Sequence, residues 1–112
     1  MEAKWSGTFN ATNAGVYTFF TASDDASMLF IDGELVVNNN FSQGTTERSG
    51  QINLTAGSHD IAILYHQGTG GLNLNASVTP PGGSKTALPN NLLGGTVNSA
   101  IGSLSGVAGA TL

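Results

Sequence analysis

The stretch Gly15-Val16-Tyr17-Thr18-Phe19-Phe20-Thr21-Ala22-Ser23-Asp24-Asp25-Ala26-Ser27-Met28-Leu29-Phe30-Ile31-Asp32-Gly33-Glu34-Leu35-Val36-Val37 decides the fold. Val16 to Ala22 is rich in aromatic and β-branched residues, the side chains that suit a pleated, half-buried surface. Met28 to Ile31 is a short apolar run that meets Asp32-Gly33. That dipeptide signals a two-residue hairpin, because a type I′ turn needs φ > 0 at both central positions. Glu34 to Val37 is then the return strand. Between the first two runs sits Asp24-Asp25, the one place where two acidic residues adjoin.

The same pattern extends outward. Trp5 to Ala11 begins with a short strand, and Asn13-Ala14-Gly15 is a turn. Asn38 to Gly44 is a polar loop. Gly50 to Thr55 alternates, with Ile52 and Leu54 on one face, and Thr55-Ala56-Gly57-Ser58 turns the chain into a strand over Asp60 to His66. Gln67-Gly68-Thr69-Gly70-Gly71 is a glycine-rich loop. Leu72 to Val78 alternates again, Leu72, Leu74, Ala76 and Val78 inward, and Pro80-Pro81-Gly82-Gly83 ends it. No long window before residue 80 shows a 3.6-residue period. Six or seven short strands joined by tight turns predict an all-β, antiparallel sandwich.

Composition narrows the function. The chain has 112 residues, enough for one domain and one core, and only 9% are charged against the roughly 25% usual for soluble domains. Asn, Ser, Thr and Gly replace the charges, as in extracellular modules. Lys4, Arg48 and Lys85 are the only basic side chains and the net charge is −4, so no basic patch can form for nucleic acid or an acidic membrane. The balance suits a cation. With no cysteine, neither a disulfide nor a thiolate metal site is available. Met1-Glu2-Ala3-Lys4-Trp5 is not a signal peptide, so an exported parent would carry its signal upstream. After Lys85 no charge occurs. Residues 94–112 are a low-charge tail, too diluted by glycine for a transmembrane helix, and read as a linker or as a docking and assembly segment.

The order of short motifs resembles a known family. Trp5-Ser6-Gly7-Thr8, Gly15-Val16-Tyr17-Thr18-Phe19, Ser23-Asp24-Asp25-Ala26-Ser27 and Leu29-Phe30-Ile31-Asp32-Gly33 are followed by Val36-Val37 and Ser49-Gly50-Gln51-Ile52. Leu54-Thr55-Ala56-Gly57, Ile63-Leu64-Tyr65 before the glycine-rich loop, and Leu88-Pro89 to Leu92 complete the series. Together, over residues 5 to 93, they resemble the protective-antigen-type module (the PA fourteen domain) of flocculins, adhesins and glycosidases. The resemblance implies a β-sandwich over 1–93. It also implies strands ahead of the Trp5 position that are not in this sequence: either it is a fragment of a longer chain, or the tail or another subunit fills the gap.

In the lectin-like members the two aspartates are joined by a cis peptide and bind Ca²⁺ together. In an ordinary strand adjacent side chains point to opposite sides and would not. Ca²⁺ takes 6–8 oxygen ligands, so the resemblance implies further donors from a second loop. Gln67 stands at the amide-ligand position, and backbone carbonyls of Gly68, Thr69 or Gly71 complete the shell. Vicinal sugar hydroxyls would then contact the ion, Asp24, Asp25, Gln67 and Gly68. Phe41, alone in a polar loop, is a candidate for stacking on a sugar ring. Outside such a motif, an acidic pair in a turn is ordinarily solvated or caps local N–H groups.

Other residues carry less. Asp32 reads as a turn residue, His66 as a surface histidine and Trp5 as core. No nucleophile–base pair is discernible, and adjacent Asp24 and Asp25 are poorly suited to flank a glycosidic bond at about 5 Å or more, so no enzyme is expected. The sequence thus predicts a calcium-dependent, glycan-binding module of an extracellular or cell-surface protein. Its alternative is a structural module that self-associates, or joins a partner subunit, to build a fibre or larger surface complex.

Overall fold

A computed structural model describes residues 2–41, 43–66 and 73–88. Among the described residues there are eight strands: β1 (Glu2–Ala11), β2 (Gly15–Asp24), β3 (Ala26–Ile31), β4 (Glu34–Asn39), β5 (Thr46–Leu54), β6 (Gly57–His66), β7 (Asn73–Thr79) and β8 (Thr86–Ala87). They form two four-stranded sheets, ordered β1-β6-β3-β4 and β5-β2-β7-β8, and every pairing is antiparallel. The expected antiparallel sandwich is the observed fold. Its strands are longer than the sequence suggests, because polar residues at their ends still pair. β8 was not anticipated at all, since two residues carry no periodicity. Among the described residues no helix is long and apolar enough to cross a membrane.

The inner faces supply the core through the period-two alternation. Tyr17 and Phe19 from β2 meet Leu29 and Ile31 from β3, Ile61, Ile63 and Tyr65 from β6, and Leu74, Ala76 and Val78 from β7, all buried. Phe9 meets Tyr17 and Phe19 edge-on, with ring centroids 5.6 and 5.2 Å apart. Aromatic rings prefer that approach because their edges are positive and their faces negative. Trp5 is core, as expected, at 1% exposure. Each such side chain contributes on the order of 1.5–3 kcal/mol through removal from water.

Two local constraints join the sheets. The β3–β4 hairpin has the expected turn, with φ of 51° at Asp32 and 81° at Gly33. The register then shifts between Leu29, which faces Val37, and Phe30, which faces Leu35. Val36 is the extra residue of this bulge, and its carbonyl is pushed toward β5. There the chain has Gly50, where an added Cβ would lie 1.8 Å from the Val36 oxygen. The missing side chain is what lets the edges of the two sheets meet.

The second constraint lies at the hairpin tip. Asp32 is more than a turn former: its Oδ1 accepts the Asp60 N–H at 2.9 Å and its Oδ2 meets His59 Nδ1 at 2.7 Å. His59 Nε2 faces the Thr55 carbonyl at 2.7 Å. Both ring nitrogens therefore face oxygens, and only the imidazolium can donate to both. The Thr55 carbonyl and then Asp32 raise the His59 pKa above its ordinary value, with the Asp60 charge adding to them. The His59 bond and then the Asp60 N–H lower that of Asp32.

Two outcomes follow from this geometry. Gly50→Ala is expected to lower stability by about 3 kcal/mol, measured by denaturant unfolding. The His59 contribution is complete below the ordinary histidine pKa of about 6.5 and disappears as pH rises through its raised folded value. The Asp32 contribution is present above the ordinary carboxylate pKa of about 3.9 and disappears as pH falls through its lowered one. The melting temperature should therefore fall as pH is raised from about 6 to about 9, and His59→Gln should flatten that slope.

Candidate functional site

The connections that cross between the sheets sort to two ends of the sandwich. At one end β2 passes to β3 through Asp24-Asp25, and β4 passes to β5 through residues 40–45. At the same end β6 finishes at His66, opposite Ala26, and β7 begins at Asn73, opposite Asp24. The chain thus leaves one sheet and enters the other beside the two residues that flank the acidic turn. Gln67, Gly68, Thr69 and Gly71, the expected donors of the second loop, lie outside the described residues.

The Asp24–Asp25 peptide is cis, as the resemblance implied. Both residues are partly buried, and their carboxyl groups lie within hydrogen-bonding reach of one another. Desolvation first, then the bond to Asp25 and its charge, raise the Asp24 pKa above its ordinary value. Among the described residues no cluster of three or more His, Cys, Asp or Glu side chains forms around the pair. A hard cation that accepts carboxylate, carbonyl and amide oxygens remains compatible with the pair.

A buried polar seam holds the turn from below. The Ser23 hydroxyl bonds to the Asp25 carbonyl at 3.0 Å and to the Ser27 hydroxyl at 2.7 Å, and Ser27 donates to Thr21 Oγ1 at 2.9 Å. The Tyr65 hydroxyl donates to the Asp24 carbonyl. Asn39, fully buried, donates through Nδ2 to Thr21 O at 3.0 Å and to Thr46 O at 2.8 Å. Its Oδ1 accepts from Gln43 Nε2 at 2.8 Å and from Arg48 Nε at 3.0 Å. Gln43 in turn donates its backbone N–H to Asp25 Oδ1 at 3.2 Å and its side-chain amide to the Asp25 carbonyl at 3.1 Å.

The sequence brought Asp24 and Asp25 to notice but missed Asn39, Gln43, Ser23, Ser27 and Tyr65. The reading of Asn38 to Gly44 as loop needs correction at its start, since Asn38 and Asn39 end β4. The signal was present. Period two from buried Val37 places Asn39 on the inward face, and from Tyr17 and Phe19 it places Thr21 and Ser23 there. Hydrophilicity masked them. Phe41 is 45% exposed, with the Arg48 guanidinium 4.3 Å from its ring centroid. His66 is exposed at the end of β6.

An antiparallel β-sandwich with an acidic turn at its loop end defines a class of modules rather than one protein. A family model described as the PA14 domain matches residues 1–91, and the chain belongs to that family. It is 39% identical over 67 residues to the anti-sigma-I factor RsgI3 of Acetivibrio thermocellus, matching 59% of this chain but 10% of that protein. Among solved structures, an anti-sigma factor domain-containing protein aligns with TM-score 0.74 and 31% identity, over 82% of this chain and 32% of its own. A PA14 sugar-binding domain from an RTX adhesin aligns with TM-score 0.66 and 27% identity, over 88% of this chain and 53% of its own. The chain therefore spans only part of the length of these relatives.

Asn39→Ala would leave the buried Thr21 carbonyl, the part-buried Thr46 carbonyl and the Gln43 and Arg48 donors without their common partner. We expect a loss of about 3 kcal/mol in denaturant unfolding, accompanied by faster amide exchange at Gln43 and Thr46.

Proposed function

We propose that the chain is a calcium-dependent carbohydrate-binding module, non-catalytic, carried by a surface-exposed or secreted protein. The observation that carries this reading is the pairing of His66 with Ala26 and of Asn73 with Asp24, which puts both ends of the intervening loop beside the acidic turn. Asp24 and Asp25 supply carboxylates. The loop would add the Gln67 amide and carbonyls of Thr69 and Gly71, and the oxygen-only donor set favours Ca²⁺. An ion held there supplies coordination positions and positive charge for vicinal sugar hydroxyls. Gln67 and Gly68 would contact the same sugar, with Phe41 as an aromatic face at the rim.

The relatives support a binding role. One is a sugar-binding domain of an adhesin, and others belong to anti-sigma factors. A ligand-recognising module is a part that proteins so different can share. The anti-sigma relatives make a sensory role for this module a natural setting, in which glycan is the input rather than an anchor.

Calcium at 100 times its Kd should stabilise the fold by about 2.7 kcal/mol, a rise in melting temperature of roughly 10 °C. Asp24→Ala should abolish that rise together with calcium-dependent retention on a glycan array. If the variant keeps both, the proposal fails.

A further inference from the structure

We infer that Arg48 is a second recognition element of the same site and reads the carboxylate of an acidic sugar, so that the preferred ligand is a uronic-acid-type glycan. The inference builds on the carbohydrate-binding reading and names the ligand class within it. It starts from the three basic side chains of the protein. Lys85 is committed to Glu47, with Nζ–O distances of 2.8 and 2.9 Å, and lies over the Phe20 ring. Lys4 projects from β1, beside Ser6 and Leu64, on the outer face of the other sheet. Arg48 alone stands at the loop end without a carboxylate partner among the described residues.

Arg48 is also held in place. It sits opposite Thr21 on β5, so its side chain starts toward the inner face of the sandwich and emerges at the rim. Its Nε donates to Asn39 Oδ1, which is anchored in turn by Thr21 and Thr46. Its guanidinium lies on Phe41. These two contacts restrain the position of the fork without using its terminal nitrogens, which make no hydrogen bond among the described residues. Two parallel N–H donors with a restrained orientation match a carboxylate bidentately, and little side-chain freedom remains to be lost on binding. A lysine at the same place would be a mobile point charge.

The link to the acidic turn is short. The Asn39 oxygen that holds Arg48 Nε also holds the Gln43 amide, and Gln43 holds Asp25 by its carboxylate and its carbonyl. One buried amide thus sets both the carboxylate proposed for the cation and the guanidinium proposed for the anion. A sugar whose hydroxyls sit on a cation at Asp24-Asp25 would present a ring substituent or its neighbouring residue toward the Phe41–Arg48 plate. A guanidinium there rewards a carboxylate at that position.

The test uses trigalacturonate and its carboxyl-reduced counterpart, titrated calorimetrically into the full chain with calcium and with EDTA. With calcium the acidic sugar should bind at least ten times more tightly than the reduced one. Arg48→Gln should narrow that preference to less than twofold, and Arg48→Lys should restore only part of it. Melting curves of both variants establish that they are folded. Equal binding of the two sugars by the native chain overturns the inference, as does parallel weakening of both in Arg48→Gln, or binding of neither. An Arg48-dependent preference that persists in EDTA supports the inference and removes calcium from the reading of the site. A preference that needs calcium and survives Arg48→Gln leaves the calcium reading intact and overturns the role of Arg48.

Discussion

Asn39 is the constraint on which the loop end of this protein depends. A primary amide with two donors and an oxygen that accepts two bonds has been placed where β2, β4 and β5 converge, and it is fully buried there. Burying such a group without partners costs on the order of 1–3 kcal/mol, so its position is favourable only when strands, loop and Arg48 all occupy their places together. The result is cooperative. The Thr21 and Thr46 carbonyls fix the amide, the amide fixes Gln43 and Arg48, and Gln43 fixes Asp25.

The two ends of the sandwich divide the work. At the Asp32–His59 end charges are satisfied internally, a histidine between a carboxylate and a carbonyl, and the arrangement closes on itself. At the other end two carboxyl groups are brought against each other, and among the described residues no cluster of three or more His, Cys, Asp or Glu side chains forms there. The core between the two ends is apolar and ordinary for a small sandwich, and it fixes the distance between them.

Much of the fold was legible. The alternation of Leu74, Ala76 and Val78, the aromatic run at Val16 to Phe20 and the Asp32-Gly33 turn each carry a local physical signature, and each stands in the structure as read. The bulge at Val36 and the reason for Gly50 were not legible. Each depends on the other through a contact between strands in different sheets, and a glycine in a strand looks the same whether it merely weakens the strand or makes room for a carbonyl. The site was half legible. Asp24-Asp25 stood out as the only adjacent acids, while Asn39 and Gln43 were lost in a run of polar residues.

The sequence by itself determined the class of fold, the hairpin and the presence of an acidic turn, because strand period, turn chemistry and charge are properties of neighbouring residues. Only the tertiary structure decided that the turn is seated on a hydroxyl and amide seam and that Gln43 and Arg48 share one buried oxygen. It also decided that His66 and Asn73 return to the two sides of the same aspartates. Those facts join residues from six strands and two connections. No local period encodes them, because hydrogen bonds between sheets are chosen only after the sheets have packed.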